Sequence, residues 1–559
     1  MKKYVIILCL LIGAFFTFNF SQDYFEVSKN LDVFNTLYRE LNIAYVDETK
    51  PGQLMKTGID AMLASLDPYT NYYTENDIED YRFMTTGEYG GIGAIIQDVD
   101  KKLIVIEPYE GFSAFKAGLR AGDQIIAIND INVTNSKTDD ISSLLKGQAG
   151  TTIKLKVLKL GQTIPTDFNL IREEIKIKSV PYYNMLNAEV GYIKLSSFTD
   201  NCSVEVKDAF MKLRELNCKS LVIDLRGNPG GLLHEAVNIV NFFVEKSNEI
   251  VYTKGKVQEW NKEYVSLYNP VDTKMPLVVL VDNYSASASE IVAGALQDLD
   301  RAVVIGQRTY GKGLVQQVRD LTYNTKLKVT VAKYHIPSGR CIQALDYTHK
   351  DEEGRVDNVP DSLITAFKTK HGRIVYDGAG ILPDVKTEVV KYADITTTLL
   401  SKNYIFSYVN EYLVKHPSYK VKANEVAFSD ADYLDFVAYL KDKDCNYKTQ
   451  FDTDLEELKK TVLEDKSFSS IKLEFDALLL RIAENKKTDL VRYKNEIKYF
   501  IQEELASRFE FQKGRIEADL TNDLDVLEAK KLLVDFQKLN SILTVIEKPT
   551  KPFNSNKRF

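Results

Sequence analysis

The chain is sparing with the side chains that build metal centres and disulfide frameworks: 5 cysteines and 5 histidines in 559 residues. Cys9 sits inside an apolar run near the N-terminus, and Cys202, Cys218, Cys341 and Cys445 match no zinc spacing. Domains of ordinary size need no covalent staples, so free buried thiols are expected, with a Cys202–Cys218 bridge as the open alternative. His234, His335, His349, His371 and His416 form no H-x-x-x-H or similar cluster, so the expectation is no metal site. Excess basic charge is also missing. A formal net charge of -7 points away from a nucleic-acid partner.

What is present starts with a leader. Met1-Lys2-Lys3-Tyr4 is followed by an uninterrupted apolar run, Val5 to Phe16, and then by polar Ser21, Gln22 and Asp23. That is the layout of a secretory signal peptide over residues 1–21, although no A-x-A cleavage site marks its end. A retained inner-membrane anchor over Val5 to Phe20 is the alternative. Cys9 lies within the apolar core and not at its end, which argues against lipid attachment there. The expected location is therefore exported, in the periplasm or cell envelope.

A composition of 44% hydrophobic and 27% charged residues is that of a globular protein with sizeable cores, and the length predicts three or four domains. Residues 22–87 carry helical periodicity (Val33, Leu37, Leu41; Ile59, Met62, Leu63, Leu66), broken at Asp67-Pro68. From Gly87 the texture becomes β-rich, with a turn at Asp98–Lys102. "TTIKLKVLKL" alternates strictly, placing Ile153, Leu155 and Val157 on one face. Within a core placed at 173–392, apolar strands alternate from Asn187 onward with helices at 201–216, 231–244 and 287–298, an α/β pattern with a largely parallel or mixed sheet. Residues 393–559 lose strand signals and read as a mainly helical domain with solvated charged faces, ending in a frayed tail.

Three stretches carry the chemistry. "DNYSASASE" (282–290) alternates serine with alanine after the apolar strand "PLVVLV", which suits close approach of backbone and ligand. A serine is a weak nucleophile without a base. The candidates are His335, in "KYHIPSGR", and Lys312, between two glycines in "GQRTYGKGLVQ". A lysine at its reference pKa of about 10.4 is neutral in fewer than about one molecule per thousand at pH 7, so it serves only where burial or a nearby positive charge lowers that value. The third stretch, "VIDLRGNPGGLLHEAV" (222–237), is a strand, a glycine-rich turn and a helix whose free N–H groups can hold an anion. It lacks the G-K-[ST] ending of a P-loop, and an oxyanion hole suits the company of a serine better.

"DLRGNPGG", "DNYSASASEIVAGALQD", "GQRTYGKGLVQ", "HIPSGRCIQ" and "GAGILPDV" stand in the order found in the C-terminal processing peptidases, or tail-specific proteases, which this chain resembles over about residues 30–390. Residues 88–172, from "GGIGA" through "AGLRAGDQIIAIN", resemble a PDZ domain, with Ser113-Ala114 where a proline often precedes the helix. The resemblance implies a multidomain α/β protein: a crotonase-like α/β protease core with an inserted PDZ domain, a helical N-terminal region and the mainly helical C-terminal domain. It implies a cofactor-free serine–lysine endopeptidase in which Ser287 is the nucleophile, Lys312 the general base and Gln316 the residue that orients the lysine amine. The N–H groups of Ala288 and of Gly230 or Gly231 form the oxyanion hole. Ser285 then caps the helix, and Ser289 packs inward. Gly90, Gly91, Ile92 and Gly93 form the loop that takes up a substrate's C-terminal carboxylate, with an apolar last residue preferred. Protein substrates are the implied partners, with an envelope adaptor and homodimerisation through terminal helices left open, as is gating by the PDZ domain. The runner-up readings are a PDZ-bearing scaffold with a decayed site and a serine–histidine hydrolase using His335.

Overall fold

The computed structural model describes residues 24–134, 141, 144–351, 355–420, 422, 425–464 and 468–544; the leader segment 1–21 lies outside them. The chain divides into two bodies, Met1–Tyr72 with Val318–Val329, and Tyr73–Gln317 with Thr330–Phe559. The first holds helices α1 (24–44) and α2 (Pro51–Ala64), the latter opened by a proline whose fixed φ suits a first helical turn. Beyond α2, the Asp67 carboxylate accepts the N–H groups of Tyr69 and Thr70, making the break at Asp67-Pro68 a side-chain-held turn.

In the second body, α3 (Ile78–Thr86) leads into the β-rich module. Strand β1 (Glu88–Gly91) pairs antiparallel with β8 (Glu173–Lys176), closing the module at both ends. Between them, β2 (Ala94–Val99), β3 (Lys102–Pro108), β4 (Gln124–Ile128), β5 (Ile131–Asn132), β6 (Thr152–Leu158) and β7 (Thr166–Ile171) form one antiparallel sheet, with β5 paired to β4 and the short helix α4 (Ser113–Lys116) between β3 and β4. The β2–β3 turn puts Asp100 and Lys101 at positive φ. The period of two in β6 sends Ile153, Leu155 and Val157 into a core with Val105, Leu119 and Ile128.

The protease core is a six-stranded mixed sheet in the order β9 (Tyr182–Met185), β10 (Val190–Lys194), β11 (Ser220–Asp224), β14 (Leu277–Val281), β15 (Val303–Gly306), β18 (Val385–Lys386). Only the β9–β10 pair is antiparallel. Helices α5 (Cys202–Glu215), α6 (Leu233–Asn241) and α7 (Ala288–Asp298) cover one face, over Ile193, Ile223 and Val279. Strands β12 (Glu249–Gly255) and β13 (Lys262–Val265) pair with each other, and β12 also pairs with β17 (Lys326–His335), which follows β16 (Leu314–Asp320). The four described cysteines are free.

The opposite face of the core sheet carries Tyr192, Val222, Val278, Leu280 and Ile305. It is buried by the last described helices, α14 (Leu524–Val534) and α15 (Phe536–Thr544), through Val526, Ala529, Leu532 and Leu539. Parallel strands buried on both sides read as unbroken apolar runs, which is why "PLVVLV" shows no alternation. The C-terminal domain is helical, from α8 (Asp394–Ser401), α9 (Tyr404–Lys415), α10 (Asp430–Tyr439), α11 (Gln450–Glu464) and α12 (Phe468–Arg492) to α13 (Lys494–Asp519). Helix α13 buries Ile497, Ile501 and Leu505 and then kinks at Glu510–Phe511, where Phe511 has φ 52°. Past the kink it meets the β-rich module: Gln512 N–H donates to the buried Glu107 carboxylate at 3.1 Å, and Phe511 lies edge-on to Phe115.

The protease sheet and helices α14 and α15 therefore share one buried apolar layer. Leu532→Ala should lower core stability by about 2–5 kcal/mol, the cost of a buried leucine truncation. The single tryptophan, Trp260, is half-buried in the turn between β12 and β13, and its fluorescence follows the protease domain during thermal unfolding. A Trp260 transition that does not move in the variant would show that the sheet folds without its second cover.

Candidate active site

The turn that carries Ser287 leaves β14 at Asp282, whose carboxylate accepts the N–H groups of Tyr284 and Ser285 and bends the chain back. The turn ends at Ser287, the N-cap of α7, with φ 55° and ψ -113°. Such a conformation costs a non-glycine residue on the order of 1–3 kcal/mol. In a strand-to-helix turn it lifts the side chain clear of both elements, as a nucleophile elbow does. Ser287 is half-buried, while Ser285 and Ser289 are fully buried. The hydroxyl of Ser285 donates to Leu225 O and that of Ser289 to Asn228 O, both at 2.9 Å. Ser285 therefore does not cap the helix as expected. It lies two residues ahead of the N-cap, and its hydroxyl is taken by the neighbouring turn. The outer serines stitch, and the intervening alanines leave room for the stitching.

That neighbour is the glycine-rich turn between β11 and α6. Gly230, at φ 99°, sits so close that a Cβ there would lie 2.7 Å from Ala286 O and 2.8 Å from Ser287 Cβ. Its N–H donates to the Asn228 side chain at 2.9 Å. Gly231 bridges Phe198 in parallel fashion, a link made by Gly230 O and Leu232 N–H, so Gly231's own N–H turns to the other side. Neither Gly231 nor Ala288 donates its N–H to any described residue. Arg226 in the same turn is gripped by Asp224 (2.7 Å), Asp523 (2.6 Å) and Asp525 (2.9 Å), which ties the glycine turn to the start of α14. Burial alone would raise the Asp224 pKa, but the charges of Arg226 and Lys194 and a Tyr192 hydroxyl bond overcome it and hold the carboxyl well below its usual range.

The third turn, Thr309–Gly313, carries Lys312. It meets the Ser287 turn through Glu290, a carboxylate with no exposed surface. Oε2 of Glu290 accepts Ser287 N–H and Lys312 N–H, both at 2.8 Å. Oε1 accepts the Thr309 hydroxyl at 2.6 Å and Gly311 N–H at 2.8 Å. Burial pushes the Glu290 pKa up to about 7, against the pull of those four donors. A second bridge comes from the buried Tyr334, whose hydroxyl lies 2.5 Å from Lys312 O and 3.1 Å from Ser287 O. "HIPSGRCIQ" and "GAGILPDV" form the wall behind this turn: Gly313 N–H donates to Gln343, and Ile381 N–H donates to the Thr309 hydroxyl. Gln316, on β16, donates its side-chain amide to Thr330 at 3.2 Å. His335 stacks on Tyr252 at 4.8 Å and engages Gly339 O through Nδ1, with its pKa lowered by burial. That is the bonding of a structural histidine.

At the other end of the β-rich module, an apolar groove of about 310 Å³ is lined by Phe83, Tyr89, Ile92, Tyr109, Ile141 and Leu145. Gly90 and Gly91 end β1 beside it. A Cβ on Gly90 would fall 2.0 Å from Gly147 O, so the backbone passes there only as glycine. The N–H groups of Ile92 and Gly93 donate to no described residue.

Asp200, His234 and Glu235 bring three ligand-type atoms within 4.8 Å, a grouping that the absence of a histidine motif did not anticipate. Glu235 is already engaged there by Ser203 N–H at 2.7 Å and Asn201 N–H at 3.3 Å, capping the start of α5. Sequence reasoning also missed Glu290, Tyr334 and the Arg226 partners. For Glu290 a signal existed: Ser287-Ala288-Ser289-Glu290 has the S-x-x-E spacing in which the glutamate reaches back to the N-cap N–H.

Comparison with known proteins identifies the family and its domains. The model of peptidase family S41 matches residues 189–350, a PDZ-domain model matches 104–159, and a model described as the C-terminal helical domain of a probable PDZ-protease matches 395–533. A carboxy-terminal-processing protease of Bartonella bacilliformis is 35% identical over 324 residues, 57% of this chain and 74% of that protein. The carboxy-terminal processing protease CtpA of Bacillus subtilis is 29% identical over 423 residues, 74% of this chain and 82% of that protein. Among solved structures, a photosystem II D1 C-terminal processing protease shares 27% identity at a TM-score of 0.34, covering 64% of this chain and 92% of that one. The chain belongs to peptidase family S41, as a serine-type C-terminal processing endopeptidase that carries a PDZ domain.

Proposed function

We propose that Ser287 attacks the scissile carbonyl, that Lys312 in its neutral form takes the hydroxyl proton and returns it to the leaving amine, and that Gln316 orients the lysine. The observation that carries this reading is the shared Glu290 oxygen, which takes the N–H groups of both Ser287 and Lys312 and so brings the two motif turns together. The competing base, His335, is occupied by Gly339 and Tyr252. The oxyanion forms against Ala288 N–H, at the positive end of α7, and Gly231 N–H. Gly230 supplies the close approach and not the donor, because its N–H is held by Asn228.

The PDZ domain takes a substrate tail as an added strand along β2, with the terminal carboxylate on the N–H groups of Ile92 and Gly93 and an apolar last side chain in the groove. Export of the chain to the periplasm or cell envelope rests on the leader-like residues 1–21, with the apolar run as signal or anchor. An adaptor protein and a homodimer are further readings that suit an envelope protease with terminal helical regions.

Ser287→Ala should abolish proteolysis, by about a thousandfold or more, while far-UV circular dichroism stays unchanged. Ser285→Ala and Ser289→Ala should keep measurable turnover. Lys312→Arg keeps a charge that does not dissociate, so it should lose as much activity as Lys312→Ala. Near-normal turnover in the arginine variant would place the base elsewhere.

Tail recognition is tested separately. A substrate with an apolar free C-terminus should be cut faster than one ending in charged residues, and amidation of that terminus should raise KM by removing the anion. Equal KM for free and amidated tails would remove the PDZ carboxylate site and leave the protease assignment standing.

A further inference from the structure

We infer that Glu290 is a positioning residue for proteolysis, and that its ionised carboxylate holds the Ser287 turn and the Lys312 turn in working register. The inference rests on the Ser287–Lys312 reading. Glu290 touches no substrate in this account; it acts through the backbone of the two residues that do.

The geometry distinguishes this carboxylate from an ordinary helix cap. A capping glutamate takes one N–H from its own helix start. Glu290 takes that N–H from Ser287 and then three more donors, all from residues 309–312 of a different turn. Both oxygens are used, each by two donors, and the site is closed to water. Neutralising the group places a proton on one of those oxygens, where it faces N–H and O–H groups that already point inward. The charged form satisfies every donor, whereas the neutral form opposes at least one. Opposition at Oε2 separates Ser287 N–H from Lys312 N–H. Opposition at Oε1 releases Gly311 and Thr309, which carry the lysine.

Burial works against that charge and brings its titration to about 7, within reach of ordinary assay conditions. The titratable and charged side chains on the surrounding elements are Asp282 and Tyr284 on the nucleophile turn and Arg226 on the glycine turn. Arg308, Tyr310 and Lys312 lie on the base turn, and Tyr334 and His335 at the end of β17. Asp298 on α7 is paired with Arg340, and Gly378–Ile381 bring no titratable group. The sign follows from the raised value. A carboxyl that prefers its proton in the folded state costs stability as pH rises from its unfolded pKa toward about 7, while the register it provides appears over the upper part of the same interval. Activity and this group's contribution to stability therefore move in opposite directions with pH.

The test uses the full-length protease and the pH dependence of kcat/KM. In the wild type the acid limb should carry two protons, one for Lys312 and one for Glu290. Thr309→Val removes one donor and leaves the carboxylate. It should push the Glu290 limb upward, costing roughly tenfold near about pH 6 while activity recovers toward wild type near about pH 9. Thr309→Ser keeps the hydroxyl and should restore the wild-type profile. Glu290→Gln, where it folds by circular dichroism, should lose one proton from the limb and run slower at every pH. A Thr309→Val variant slowed by the same factor at all pH values, with an unmoved limb, would overturn the inference. Ser287→Ala and Lys312→Arg are run alongside: activity surviving in either sinks the dyad, whereas dead dyad variants with an unmoved Thr309→Val limb sink only the role of Glu290.

Discussion

The site depends on holding Ser287 at a backbone conformation that its own chemistry opposes. At φ 55° the residue stores strain that an isolated turn would release. Here every route to release is blocked. Gly230 lies against Ser287 Cβ, Ser285 and Ser289 are bonded to the carbonyls of the glycine turn, and Glu290 fixes the Ser287 N–H. Each restraint is a single hydrogen bond or contact worth about 1 kcal/mol, so no one of them suffices. Together they over-determine the turn. The alternation of serine and alanine is the sequence cost of that closure: hydroxyls where the glycine turn offers carbonyls, methyls where it leaves no room.

The glycine turn must itself be held, and its anchor lies almost three hundred residues away. Arg226 is clamped by Asp224 from its own strand and by Asp523 and Asp525 at the start of α14. Asp523 also caps that helix. The C-terminal domain thus does two jobs for the catalytic half. It buries the second face of the core sheet and supplies counter-charges to the glycine turn beside Ser287. Its helix α13 reaches the PDZ domain as well, at Glu107 and Phe115, so one helical scaffold touches both the PDZ domain and the turn beside Ser287. The PDZ domain and the protease core are thereby tied to one physical scaffold.

How much of this was legible from the residues varies with how local the causes are. The strict alternation of "TTIKLKVLKL" and the unbroken "PLVVLV" state their burial directly, because one face or two faces buried leave different periods. The helices at 201–216, 231–244 and 287–298 came within two or three residues of their observed ends, the limit set by fraying and caps. The antiparallel edge strand Tyr182–Met185 went unread, since a short edge strand that pairs on one side carries little pattern. The role of the last helices was hidden too. An apolar stripe on α14 says that it is covered, not by what, and the partner face is set by tertiary contact.

The same logic separates what was readable in the site from what was not. Serine, lysine and the glycine turn could be named because their motifs are contiguous. Glu290 was in plain view at the S-x-x-E spacing, yet that spacing speaks only for the N–H of Ser287; the three donors from Thr309, Gly311 and Lys312 belong to another turn and exist only after folding. Tyr334 is a further case, a buried phenol whose hydroxyl meets the carbonyls of Ser287 and Lys312. Between them the two side chains hold the N–H side and the C=O side of the same pair of residues. Backbone groups at a turn cannot be paired within their own strand or helix, and when they are buried they must be satisfied from outside. In this protease the groups that satisfy them are also the ones that bring the turns of Ser287 and Lys312 to one place, so satisfying the turns and assembling the candidate site are the same physical event.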